Sequence, residues 1–89
     1  MRIVLTIVGK DKVGIIAKVS NLLAENGVNI ENINQNILEG FFNMVVVADM
    51  TKAKVSLQEL KTKATKLGEE IGVDIRVQHE DIFTAMHRI

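Results

Sequence analysis

The sequence predicts an α+β domain of the ferredoxin-like type, a four-stranded antiparallel sheet in the order βαββαβ with two helices on one face and a short C-terminal helix. Three observations predict it. Residues 2–8 form a short, nearly continuous apolar run and residues 73–79 alternate apolar with polar at period two, the marks of strands. They recur at helical spacing as Ile15, Ile16, Val19, Leu22 and Leu23, and again as Leu57, Leu60, Ala64, Leu67 and Ile71. Glu39-Gly40 divides residues 28–50 into two strand-like runs, which reads as a hairpin. Two βαβ units joined by a hairpin give the split ferredoxin-like arrangement, with strand order 4-1-3-2.

Taken in order, residues 2–8 form the first strand, with Ile3, Leu5 and Ile7 on one face and Val4, Thr6 and Val8 on the other. Both faces are largely apolar, as in a central strand. The first helix is expected from about Lys12 to Glu25, capped by Asp11 and ended by Gly27. Its free first-turn N–H groups, at the positive end of the helix dipole, make a seat for a small anion such as a carboxylate. The second strand runs from Val28 to about Leu38, where Val28 and Ile30 have one parity and Ile33 and Ile37 the other; a bulge near Glu31 reconciles them. The third strand spans residues 41–50. A two-residue loop sets Ile37 opposite Phe42, Gln35 opposite Met44, Ile33 opposite Val46 and Asn36 opposite Asn43, although a type I turn with a glycine bulge is the alternative at Glu39-Gly40.

The second helix opens on a capping box, Ser56 with Glu59, inside a hydrophobic staple of Val55 and Leu60, and Gly72 is placed to end it. Gly68 is a weak point in its interior. Val73, Ile75, Val77 and His79 then alternate with polar residues as the fourth strand. Asp81 is expected to cap a tail helix, about residues 81–88, whose stripe is Ile82, Met86 and Ile89 with Phe83 beside it. So short a helix must dock to be stable. The expected whole is one domain, residues 1–89. The helix-free sheet face carries either Val4, Val8, Val45 and Val47 or Phe42, Met44, Val46 and Met50, and a second protomer, the tail helix or both should cover it.

Composition narrows function. Eleven basic residues balance eleven acidic ones, so there is no electrostatic footprint for nucleic acid. Cysteine is absent, which removes disulfides and thiolate chemistry, and no apolar run approaches the length of a membrane span. A soluble cytoplasmic protein without membrane or nucleic-acid partners is expected. His79 and His87 lack the neighbours a metal site needs; they read as a strand histidine and a surface histidine. Gly9 and Gly14 are not followed by the Lys-Ser/Thr of a phosphate loop, and no nucleophile is paired with a base. The chain is therefore read as non-enzymatic, with no metal and no cofactor.

The stretch Gly9-Lys10-Asp11-Lys12-Val13-Gly14-Ile15-Ile16, followed by Val19, Leu22-Leu23, Gly27 and Val28-Asn29-Ile30, resembles the signature of ACT domains. The ending Asp81 to Ile89 is similar to that of stand-alone bacterial and archaeal members of that family. The resemblance implies a βαββαβ module that binds an amino acid or related small metabolite and works in pairs. It places ligand contacts at Asp11, Lys12, Val13, Gly14 and Ile15 in the corner between the first strand and first helix, and at Asn32, Asn34 and Gln35 of the second strand, reaching from the adjacent protomer. The ligand carboxylate would meet the amides of Val13 and Gly14. The partners it implies are a small-molecule effector, a second copy of the chain and a regulated enzyme or other protein. Plainer roles stand beside these: Asp11 as helix cap, Gly14 as a packing glycine, Lys10 and Lys12 as solvated side chains, and the asparagines as marks of an edge strand, with Gln35 the exception. The rival class is a protein-interaction module that takes no small molecule.

Overall fold

A computed structural model describes residues 1–10 and 12–86. The elements are β1 (Arg2–Lys10), α1 (Ile15–Glu25), β2 (Asn29–Leu38), β3 (Phe41–Asp49), α2 (Leu57–Ile71), β4 (Val73–His79) and α3 (Glu80–Met86). The sheet order is β2-β3-β1-β4, with every pair antiparallel. This is the α+β ferredoxin-like architecture the pattern predicts.

One sheet face carries Ile3, Leu5 and Ile7 of β1, Phe42, Met44, Val46 and Ala48 of β3, and Val73, Ile75 and Val77 of β4, all buried. They meet Ile15, Val19 and Leu23 of α1 and Leu60 and Ala64 of α2 in one aliphatic core. Each of the larger side chains contributes about 1.5–3 kcal/mol by leaving water. The other face is therefore the one bearing Val4, Val8, Val45 and Val47. α3 packs against β1 and β4 at one end of it, where Val4 is buried, while Val8 toward the other end of β1 is exposed.

The hairpin register is the expected one, with Ile37 opposite Phe42, Gln35 opposite Met44 and Ile33 opposite Val46, and the bulge falls between Ile30 and Asn32. At the turn, Glu39 (φ 51°) and Gly40 (φ 82°) both adopt positive φ. That is the mirror-image two-residue turn whose twist suits a hairpin, not a type I turn with a glycine bulge. The α2 capping box forms in full: Ser56 Oγ accepts from the Glu59 N–H at 3.1 Å, and the Ser56 N–H donates to Glu59 Oε1 at 3.3 Å.

Three expectations are corrected. α1 starts at Ile15 rather than Lys12, because Gly14 takes a left-handed φ of 90° and occupies the N-cap position without a side-chain cap; Asp11, the expected cap, lies outside the described residues. The tail helix starts at Glu80, and the imidazole Nδ1 of His79 accepts the Asp81 N–H at 3.0 Å, so His79 supplies the cap assigned to Asp81. Ile82 is exposed and Phe83 half-buried, so the helix does not dock on Ile82; Ile89 and the Met86 side chain lie outside the described part.

Candidate functional site

Element lengths create the site. Eleven residues of α1 rise about 16 Å at 1.5 Å each, whereas ten residues of β2 extend about 33 Å at 3.3 Å each. The strand outruns the helix meant to cover it. Ile37 and Gln35 share the helix-facing side with Phe42 and Met44, their partners across the hairpin, yet both stand exposed. Between them and the first turn of α1 lies an apolar-walled groove of about 580 Å³, bordered by Lys12, Gly14, Ile15, Ile16, Ala17, Gln35, Ile37 and Phe42.

The amide chemistry of this groove follows from the helix start. The Lys18 N–H donates to the Gly14 carbonyl at 3.0 Å and closes the first turn. The N–H groups of Ile15, Ile16 and Ala17 precede that bond and have no intrahelical acceptor. Among the described residues no acidic side chain stands in the first turn and none caps it. Three main-chain donors at the positive end of the helix therefore belong to residues that border the groove. Because α1 starts later than the pattern predicts, the first-turn donors are those of Ile15 to Ala17, which follow directly on the amides of Val13 and Gly14.

The expected site residues separate into two groups. Lys12, Gly14, Ile15 and Gln35 border one groove. Val13 is fully exposed and borders a smaller hollow of about 250 Å³ beside Lys18 and Glu70. Asn32 and Asn34 pair with Val47 and Val45, which puts them on the opposite sheet face from Gln35. Period two in a strand makes that separation unavoidable within one protomer. Ile16, Ala17, Ile37 and Phe42 were not expected at the site; Ile37 and Phe42 share Gln35's face in the predicted register, which is the signal the sequence offers. Lys12 turns away from the groove floor, its Nζ donating to the Ile71 carbonyl at 3.1 Å at the C-terminal end of α2.

A second hollow, about 560 Å³, lies at the far end of the sheet between Gly27, Asn29, Asp49 and Lys52. Its carboxylate is already engaged. Asp49 Oδ1 accepts from the Thr51 hydroxyl at 2.6 Å and the Thr51 N–H at 2.8 Å, and the N-terminal ammonium stands 3.6 Å away. The Thr51 hydroxyl first, then its N–H, hold the Asp49 carboxyl below the usual carboxylate range. These are bonds of a turn. Among the described residues no cluster of three or more His, Asp or Glu could hold a metal ion, and no helix is long and apolar enough to cross a membrane.

A βαββαβ sheet-and-helix layer with a groove at the mouth of its first helix defines a small ferredoxin-like module. The chain belongs to the ACT domain family, whose model matches residues 1–78. It is 48% identical over 88 residues to a UPF0237 protein of Methanopyrus kandleri, covering 99% of this chain and 98% of that one. Among solved structures, it is similar to an ACT domain protein from Streptococcus pneumoniae, with TM-score 0.82, 37% identity and 93% of each chain covered. It also resembles the regulatory subunit of aspartate kinase from Thermus thermophilus, in a ligand-free form, with TM-score 0.66, 25% identity, and 86% of this chain and 50% of that one covered.

Proposed function

We propose that this chain is a non-enzymatic regulatory module of the cytoplasm that binds an amino acid or related small metabolite at the β1–α1 corner, beside a second copy of itself. One observation carries the reading: the groove joins three helix-start amides without an intrahelical acceptor, an apolar wall and the Gln35 amide. A carboxylate suits the amides of Ile15 to Ala17, the wall suits an aliphatic body, and Gln35 is placed to read a polar group. Lys12, Val13 and Gly14 shape the loop that leads to those amides. Asn32 and Asn34 could reach such a ligand only from another protomer. Binding transmits a signal to a regulated enzyme or other partner to the extent that the ligand prefers one packing of the protomers over another.

Screening amino acids by calorimetry and thermal shift tests the proposal, with Ala17→Glu as the diagnostic variant. A carboxylate at this first-turn position stabilises the helix by about 0.3–1 kcal/mol and competes for the amides a ligand would use. The expected result is a protein at least as thermostable as wild type that no longer responds to the amino acid that stabilises wild type. A panel in which nothing shifts wild type sinks the ligand reading. The exposed apolar pair Leu38 and Phe41 at the hairpin tip favours the rival, a protein-docking module. Deleting residues 81–89 without loss of partner capture, while Leu38→Ser abolishes it, would assign docking to the hairpin.

A further inference from the structure

The end of β1 and the start of β4 are opposed in the sheet, Gly9 across from Val73. The loop into α1 and the corner out of α2 therefore leave the same end of the sheet side by side. Lys12 joins them, its Nζ donating to the Ile71 carbonyl at 3.1 Å across 59 positions of chain. The end of α2 suits such a cation. Its last turn reads Gly68-Glu69-Glu70-Ile71, without a base, at the negative end of the helix dipole, where the final carbonyls have no intrahelical donor. Gly72 makes room for it. That residue takes a left-handed φ of 74°, and a β-carbon on it would stand 2.6 Å from Lys12 Nζ. The ammonium thus occupies the space that the missing side chain leaves.

Lys12 also borders the groove, with Gly14 and Ile15, and the smaller hollow, with Glu70 and Ile71. It lies two residues before the glycine whose carbonyl closes the first turn of α1. We propose that Lys12 is a positioning residue of the amino-acid site: strapped to the end of α2, it holds the Gly14 turn so that the amides of Ile15 to Ala17 stay open to the groove, and its ammonium does not touch the ligand carboxylate. This rests on the ligand reading of the groove given above. The family resemblance makes Lys12 a ligand contact; the geometry assigns its charge to α2 instead. A ligand's apparent affinity scales with the fraction of molecules already in the competent shape. The strap acts through that fraction.

Lys12→Met removes the donor and keeps most of the stem, whereas Lys12→Arg keeps a donor. The first measurement needs no ligand. Hydrogen exchange of the Lys18 amide, bonded to the Gly14 carbonyl at 3.0 Å, should quicken in Lys12→Met with an unchanged circular dichroism spectrum, and Lys12→Arg should restore it. Gly72→Ala sets a methyl group against the ammonium. It should quicken exchange at the same amide, and add nothing there in the Lys12→Met background.

The second measurement is calorimetric titration with the standard amino acids, one at a time. For one that binds wild type, Lys12→Met should weaken binding about two- to tenfold, the range expected for one hydrogen bond. Gly72→Ala should weaken it similarly, although Gly72 belongs to the α2–β4 corner and not to the groove lining. Exchange at Lys18 that Lys12→Met leaves unchanged overturns the strap. Binding that Lys12→Met weakens and Gly72→Ala preserves or strengthens overturns the proposal as well, since an ammonium driven off α2 would then be clamping the carboxylate directly. A panel in which nothing binds wild type rejects the ligand reading alone, and exchange at Lys18 still decides whether Lys12 holds the turn.

Discussion

Gly68→Ala should destabilise the protein although alanine is the better helix former. In an open helix interior the exchange gains about 0.5–1 kcal/mol. Here a β-carbon would stand 2.6 Å from the Val73 carbonyl oxygen and 3.4 Å from Ile75 Cγ1. The first obstacle is backbone and cannot rotate aside. Nor can β4 retreat easily, because Val73 is lodged against Gly9 of β1, where a β-carbon would lie 2.8 Å from Val73 Cγ1. Forcing atoms into a packed site costs about 1–3 kcal/mol, which at mid-range exceeds the helix gain and leaves a net loss of about 1 kcal/mol. For a domain of this size each kcal/mol lowers Tm by about 4–8 °C. Calorimetric melting of wild type and Gly68→Ala reads the effect directly. A variant melting at or above the wild-type temperature would refute the argument, since it would mean that β4 yields freely and Gly68 is merely a poor helix residue.

Ser56→Ala should lose about 1 kcal/mol in urea unfolding, because it removes the hydroxyl that accepts the Glu59 N–H and leaves only the bond from the Ser56 N–H to Glu59 Oε1; an unchanged urea midpoint would show the box to be incidental. Asp49 has a folded pKa below its ordinary value, so it adds stability that is present above that ordinary value and lost as pH falls through the folded one. Asp49→Asn should accordingly narrow the gap between neutral and acid melting temperatures, and equal acid sensitivity in the two proteins would place the titration elsewhere.

The fold is legible in the sequence because its signals are redundant. The hairpin register follows from placing Ile33, Gln35 and Ile37 opposite apolar partners across a two-residue loop at Glu39-Gly40. The bulge at Glu31 is forced by the change of parity between Ile30 and Ile33. The Ser56 box announces its own helix. The start of α1 is less legible: Asp11 is the better cap by side chain, but Gly14 with φ 90° turns the chain four residues before its first main-chain bond at Lys18, and no side-chain preference records a backbone turn of that kind. The site shares this opacity. Its donors are amides, which every residue here possesses, and its volume comes from a difference in length between α1 and β2. Asn32 and Asn34 draw attention by composition, although their parity already sets them across the sheet from Gln35. His79 as cap of α3 escapes a reading by residue type, since Ser, Thr, Asp and Asn are the preferred caps.

The same length difference leaves the groove uncovered, so the proposed site falls on the odd-numbered residues of one strand. Ile33, Gln35 and Ile37 face the helix side of the sheet; Asn32, Asn34 and Asn36 face the other. An alanine series along residues 32–37, read by thermal response to the stabilising amino acid, should therefore show a period of two. Loss should be greatest at Gln35 and Ile37, whose side chains border the groove, and the asparagines should leave the response unchanged. A flat series, or one that peaks at Asn34, would place the working face of β2 on the other side of the sheet, where Val45 and Val47 lie, and would transfer the functional argument from the groove to that face.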